Sequence, residues 1–327
     1  MALVALMATL ASGTLSGQGT SLGLQGETVA ALAVDTQDPR TLYAGTGSGA
    51  VAISKDGGKT WSAGKSGPDM GKVLALAMDP KNHSVLYAGT GKGLFVTSNA
   101  GNSWAPIDSG LSYPTIQALA VDPQNPRTVY AGTWGDGVFK STDGGKTWNP
   151  ANAGLENAYV YALAVDPKTP GTLYAGTGNG LFRSNDGAKT WSLAEPALKD
   201  KTFDAVAIAA QNPGTLYAAA NTWVPGKNYS GSIFKSSDGG KTWNPAGSGL
   251  PESRIRALAI HPQNANTVYA GTEAGVFKST DGGSTWSAEN SGPKPPSVLA
   301  LALNPQTSGK LYAGTSDSGV FEISVNP

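Results

Sequence analysis

An eight-residue phrase, Ser/Thr-x-Asp-Gly-Gly-x-Thr-Trp, recurs along this chain and constrains its fold more than any other feature. It stands as Ser54 to Trp61, Ser141 to Trp148, Ser236 to Trp243 and Ser279 to Trp286, with looser copies ending at Trp104 and Trp191. A second phrase, built on Leu/Val-Tyr-Ala, precedes each copy. Its tyrosines, Tyr43, Tyr87, Tyr130, Tyr174, Tyr217, Tyr269 and Tyr312, lie 43 to 44 residues apart with one longer step. Self-similarity at this period marks a unit that buries its apolar face only against its neighbours, as in a propeller or a solenoid.

One repeat reads as four strands. Val160 to Val165 is a continuous apolar run, which predicts burial on both faces and the innermost position, strand a. Asp166-Pro167 opens a turn, Leu173 to Thr177 is strand b, and Gly178-Asn179-Gly180 turns into strand c at Leu181. The eight-residue phrase is then the c–d hairpin, and Trp191 opens strand d. With no helical periodicity, the content is that of a propeller blade. In the hairpin, Asp accepts hydrogen bonds from its own turn, the glycines take positive φ, and Trp buries between strands. These carboxylates are therefore read as scaffold.

Strands a, b and c occur seven times but the hairpin only six, because the chain stops at Pro327 just after the seventh strand c. The chain also carries 28 residues before the first strand a at Val29. The expectation is an all-β, seven-bladed propeller of four-stranded antiparallel blades, whose last blade is completed by an N-terminal strand near Thr14 to Thr20. Residues 14–327 form one domain in this reading. Residues 1–13, apolar and ending in small residues without a basic start, read equally as a signal remnant or as an apolar strand.

The 23 Lys and Arg balance the 23 Asp and Glu, so no net field draws nucleic acid, and no other stretch has the length of a membrane span. There is no Cys, and the two histidines, His83 and His261, are far apart, so neither a metal site nor a cofactor is expected. Gly45-Thr46-Gly47-Ser48-Gly49 resembles a phosphate loop but leads into a strand where that chemistry needs a helix.

Ser/Thr-x-Asp-Gly-Gly-x-Thr-Trp resembles the Asp-box, or BNR, repeat of bacterial sialidases, xyloglucanases, sortilin-type receptors and the photosystem II stability and assembly factor. The resemblance extends from about Val29 to the end and implies the propeller fold, with the boxes on the face opposite the ligand. It implies no single function, since its bearers include hydrolases, receptors and assembly factors. Sialidases grip their substrate with three arginines, the first in a Phe-Arg-Ile-Pro phrase that is missing here. Of five arginines, only Arg254 and Arg256 fall on the ligand side. Xyloglucanase-like enzymes resemble two such propellers with a carboxylate from each, and this chain holds one.

Departures from the repeat point to the site. The aromatics outside the repeat are Tyr113, Trp134, Tyr159, Tyr161, Phe203, Trp223 and Tyr229, all in b–c or d–a connections or at the start of strand a, which share one face. The fifth repeat is nine residues longer, and the excess is read as a b–c loop, Asn221 to Ser232. The second residue of strand a varies as Ala30, Leu74, Gln117, Tyr161, Asp204, Arg256 and Leu299, so blades three to six supply a polar arc in which Asp204 faces Arg256. The candidate ligand-binding residues are Tyr113, Trp134, Asp136, Tyr159, Tyr161, Asp204, Trp223, Tyr229, Arg254 and Arg256, with none assigned as catalytic. They suit a glycan or an extended peptide, bound by a monomeric, non-catalytic, secreted or periplasmic propeller. The alternatives are a glycoside hydrolase, with Asp136, Asp204, Glu252, Glu273 and Asp317 eligible as carboxylates, and a protein-binding assembly scaffold.

Overall fold

The computed structural model describes residues 19–63, 69–107, 110, 115–226, 228–289, 296–304 and 309–325. Each repeat forms one four-stranded antiparallel sheet, and there are seven. In blade one the strands are Val29–Val34 (a), Leu42–Thr46 (b), Val51–Ser54 (c) and Ser62–Ala63 (d). Strands a of blades two to seven are Val73–Met78, Ile116–Val121, Val160–Val165, Thr202–Ile208, Ile255–His261 and Val298–Leu303. They touch in succession round a closed ring, blade seven against blade one. A 3-10 turn at Pro196–Leu198 is the only helical element among the described residues.

The core lies between blades. The repeat tyrosines are buried, and five box tryptophans, Trp104, Trp148, Trp191, Trp243 and Trp286, join them. Strand a departs from the sequence expectation: it begins with a buried residue in six blades, but its last three residues are only half-buried in every blade except the sixth, where His261 ends the strand buried. Its inner edge borders the central opening, so two-sided burial ends after the first half of the strand.

Backbone bonds sort the turns onto two faces. The box amide Gly57 N donates to Arg40 O of the a–b turn (2.8 Å), as Gly144 does to Arg127 and Gly187 to Gly171. At the other end, the b–c turn bonds the residue before strand a, as in Trp134 N to Thr115 O and Gly178 N to Tyr159 O (both 3.0 Å). Boxes and a–b turns therefore share one face, and b–c and d–a connections share the other.

Blade seven is completed by Thr20–Gly23, which pairs antiparallel with Val320–Ser324. Closure by the N-terminus holds, but the strand begins at the end of the expected stretch and runs past it; Thr14 to Gln18 lie outside the described residues. Thr20 stands nine residues before Val29, where Ser62 stands eleven before Val73. No covalent hairpin fixes this strand, so it pairs in its own register, with a bulge between Ser21 and Gly23. Leu22 O accepts from Trp61 Nε1 (2.8 Å), the bond that Ala151 O of strand d makes with Trp191 in blade four.

Each box satisfies itself. Ser54 Oγ donates to Asp56 Oδ1 and accepts from Gly58 N (both 2.8 Å), while Asp56 accepts from Thr60 N (2.9 Å) and Thr60 Oγ1 (2.6 Å). Asp143, Asp186, Asp238 and Asp281 repeat the pattern. Asn99 does so without charge, accepting from Thr97 Oγ1 (2.8 Å) and Ser103 N (2.9 Å). Ala100 (φ 54) and Ala188 (φ 66) hold left-handed positions that glycine fills in the other copies, a conformation that costs an L-residue about 1–2 kcal/mol.

Threonine hydroxyls, then amides, hold the carboxyls of Asp56, Asp186 and Asp281 at about 2, from an ordinary 3.8. At Asp143 and Asp238 the amide of the box threonine leads, and their carboxyls are also lowered. The folded state therefore binds fewer of these protons than the unfolded chain. The boxes contribute stability above pH about 4 that is lost as pH falls toward about 2. The melting temperature should be insensitive to these groups near neutral pH and drop across that acid window, and Asp143→Asn with Asp238→Asn should make the drop shallower. For closure, a chain lacking residues 1–24 should melt well below the full chain, and a peptide spanning 19–26 added in trans should restore part of the loss. An unchanged melting temperature would refute the assignment of Thr20–Gly23 as the closing strand.

Candidate functional site

In every blade the a–b register slips near the start of strand a, between its first and third residues or, in blade five, where the strand begins one residue earlier, between its second and fourth, leaving the residue between as a β-bulge. Bulges re-aim a side chain that regular pairing would place on a sheet face. The residues so displaced are Ala30, Leu74, Gln117, Tyr161, Asp204, Arg256 and Leu299, all toward the end of strand a away from the boxes. The polar arc of blades three to six thus has a backbone cause.

Two aromatic groups stand along this arc. Trp134, in the b–c turn of blade three, meets Tyr159 edge-on at 6.3 Å and Tyr161 at 6.1 Å. Trp134 and Tyr159 are 49% and 44% exposed, and with Thr115 and Gly135 they line an open cleft of about 420 Å³. Asp136 belongs to the same turn; its amide donates to Thr133 Oγ1 and its carbonyl accepts from Asn152 Nδ2 (both 2.9 Å).

The second group stands on blade five. The expected loop is instead a longer hairpin: strand b runs Leu216–Val224, strand c runs Asn228–Ser236, and Trp223 faces Tyr229 across them. Alternating polar and aromatic residues around Pro225-Gly226 are hairpin chemistry that a loop reading overlooks. Trp223, at 57% exposed, packs edge-on against Tyr229 at 5.3 Å.

An ion pair between blades five and six adjoins the second group. Asp204 Oδ2 accepts from Arg254 Nε (2.5 Å) and from Asn221 Nδ2 (3.1 Å), and the Arg254 guanidinium lies 4.4 Å over the Tyr229 ring. The sequence paired Asp204 with Arg256. Arg256 instead binds Glu273 Oε1 (3.2 Å) across its own blade, because the bulge separates it from Arg254. Burial works against the Arg254 charge, but the bond to Asp204 outweighs it and raises the guanidinium pKa. Burial, then the nearby Asp204 carboxylate, raises the Tyr161 phenol, which ties the first aromatic group to the ion pair.

Nine of the ten expected residues are described, and they form one arc over blades three to six; Tyr113 lies outside the described residues. Phe203 is a correction: it is fully buried and packs on Phe234 (6.3 Å) as core. Asn221, missed in the sequence, donates to Ile255 O (2.8 Å) and accepts from Ile255 N (2.9 Å), fastening the hairpin to blade six. His83 pairs with Asp35 between blades one and two on the box face. Among the described residues no group of His, Cys, Asp and Glu could hold a metal, and no helix is long and apolar enough to cross a membrane.

The fold is that of a seven-bladed β-propeller whose c–d hairpins carry the Asp-box phrase. A family model of the BNR/Asp-box repeat matches residues 52–63 and 139–150. Comparison with curated proteins finds no match. Among solved structures, the chain is similar to a GH74 enzyme of Niastella koreensis, at TM-score 0.78 and 21% identity, over 95% of this chain and 54% of that one. It is also similar to YCF48 of Cyanidioschyzon merolae, at TM-score 0.70 and 13% identity, over 94% of this chain and 98% of that one. YCF48 bound to D1 peptide matches at TM-score 0.68 and 15% identity, over 93% and 95%. The chain spans about half the length of the GH74 enzyme. At these identities the likeness is one of fold.

Exposure separates the two classes of tryptophan. Trp134→Ala and Trp223→Ala should leave the melting temperature nearly unchanged. Trp148→Ala, at a buried position, should cost about 3–5 kcal/mol in chemical unfolding. Equal losses at all three positions would place the arc in the core.

Proposed function

We propose that the chain is a binding propeller whose extended ligand, a glycan, lies across the arc from Trp134 to Trp223. The observation that carries this reading is that two exposed aromatic groups share the face that also holds the fixed Asp204–Arg254 pair, which packs on the second of them. Exposed indole and phenol rings offer flat apolar faces with polar edges, which suit sugar rings. The ion pair beside them supplies orientation.

A hydrolase reading asks more of the same face. Two carboxylates would need to stand about 5–9.5 Å apart across the sugar, one as acid and one as base or nucleophile. Asp204 is 8% exposed and held by Arg254, and Glu273 is bound by Arg256. Both are committed to arginines, which favours holding a ligand over cleaving it. A peptide ligand is the second reading, favoured by the fold likeness to YCF48 bound to D1 peptide.

Tryptophan fluorescence against a glycan panel and a peptide array tests the proposal. Binding should quench the exposed indoles, and Trp134→Ala or Trp223→Ala should each weaken it roughly 3- to 10-fold, the worth of one aromatic contact. Asp143→Ala, on the opposite face, should leave affinity intact wherever the variant is folded. Binding that survives both tryptophan substitutions unchanged would move the site elsewhere. Hydrolysis of any panel member, lost on Asp204→Asn or Glu273→Gln, would replace binding by catalysis.

A further inference from the structure

Three buried polar atoms on blades five and six have no protein partner: Asp204 Oδ1, Ser253 Oγ and Arg256 Nε. Arg254 adds to them, since only its Nε is engaged by a protein acceptor among the described residues, leaving both Nη groups unspent. Their residues share the seam between blades five and six. Asn221 Nδ2 touches both Asp204 Oδ2 and Ile255 O, so the carboxylate lies against the start of strand a in blade six, which Ser253, Arg254 and Arg256 flank. Buried polar groups are nearly always paired with protein, water or ligand. The patch therefore offers one acceptor, a cluster of donors and a hydroxyl.

Its charge is already cancelled. Arg254 is matched by Asp204 and Arg256 by Glu273. A carboxylate ligand would satisfy the Nη donors but would meet the Asp204 oxygen with like charge and no proton to give. A trans backbone amide carries donor and acceptor in its plane but on opposite edges, so one amide cannot serve both at one point. Two neighbouring hydroxyls can, because each donates and accepts from the same edge.

We infer that the Asp204–Arg254 patch reads adjacent hydroxyls of an uncharged saccharide, directly or through one water, and rejects carboxylated ligands. This rests on the binding reading above and names its ligand class. Arg254 is thus a hydrogen-bond fork oriented by Asp204 and Tyr229, and its positive charge is not what recruits the ligand.

Neutral oligosaccharides (cellohexaose, xylohexaose, mannohexaose) and the carboxylated tetragalacturonate are titrated into the full chain by tryptophan fluorescence. With salt raised from about 50 to about 500 mM, neutral binding should change less than about twofold, since screening acts on net charge. Tetragalacturonate should bind at least about 10-fold more weakly than the best neutral sugar, the cost of leaving a buried polar group unmatched. Asp204→Asn, which keeps the shape but frees the Arg254 charge, should reverse the order: the neutral sugar weakens, and tetragalacturonate gains affinity that salt abolishes. Ser253→Ala should weaken the neutral sugar without altering the melting temperature, and it serves as the test if Asp204→Asn does not fold.

Tighter, salt-sensitive binding of tetragalacturonate by the unaltered chain overturns the inference, as does an Asp204→Asn variant that gains nothing for it. If no neutral sugar quenches but a peptide binds through Trp134 and Trp223, the saccharide assignment falls and the binding propeller stands. If neither binds, both fall.

Discussion

Strand b of each blade carries a small residue where strand a of the next blade crosses it, and the ring depends on that contact. A Cβ built on Gly45 would lie 2.5 Å from Val73, on Gly132 2.6 Å from Val160, and on Gly314 2.6 Å from the carbonyl of Val29. The last of these is the closure between blade seven and blade one. Such distances leave no room for a side chain, so the glycine sets how near the blades stand and lets tyrosine and tryptophan fill the wedge behind. The ring closes because the same approach is repeated at nearly every seam, and the closing strand Thr20–Gly23 has only to cover the last exposed edge.

Blade five alone departs from this rule, and the departure builds the site. There the phrase reads Leu216-Tyr217-Ala218-Ala219-Ala220, with Ala219 fitting without exposure against the start of blade six. In the other blades the final threonine caps a tight b–c turn through its hydroxyl, as Thr133 does to Gly137 O and Thr272 to Gly275 O (both 2.9 Å). Ala220 has no hydroxyl to give. The strands run on past it, and the added pairs from Asn221 to Val224 raise Trp223 and Tyr229 above the ligand face.

Repetition made most of the fold legible, because apolar runs and turn residues agree seven times and box spacing six. What it could not supply is the behaviour of exceptions. The closing strand was placed by analogy with blades whose strand d follows a covalent hairpin, and it differs because it has none. The blade-five excess reads as a loop if only its length is weighed, although Asn221-Thr222-Trp223-Val224 and Tyr229-Ser230 around Pro225-Gly226 carry the alternation of strands. The nine described site residues were legible as exceptions. Their pairing was not, since a bulge decides whether Arg254 or Arg256 meets Asp204, and bulges leave no mark in a strand this regular.

Asn221 shows why this part of the candidate site is held in place. Its side-chain amide bonds both backbone groups of Ile255 as a neighbouring strand would, so the hairpin is registered to blade six rather than left free. The same amide supports Asp204, Asp204 orients Arg254, and Arg254 lies on Tyr229, whose ring braces Trp223. Each member is held by the next, and the chain starts from backbone. A protruding hairpin would ordinarily lose conformational freedom when a ligand ordered it, at about 0.5–1.5 kcal/mol for each immobilised side chain. Here that ordering is completed during folding, so ligand contacts across the arc are not spent on it. The nine extra residues thereby act as part of the scaffold and not as a flexible lid.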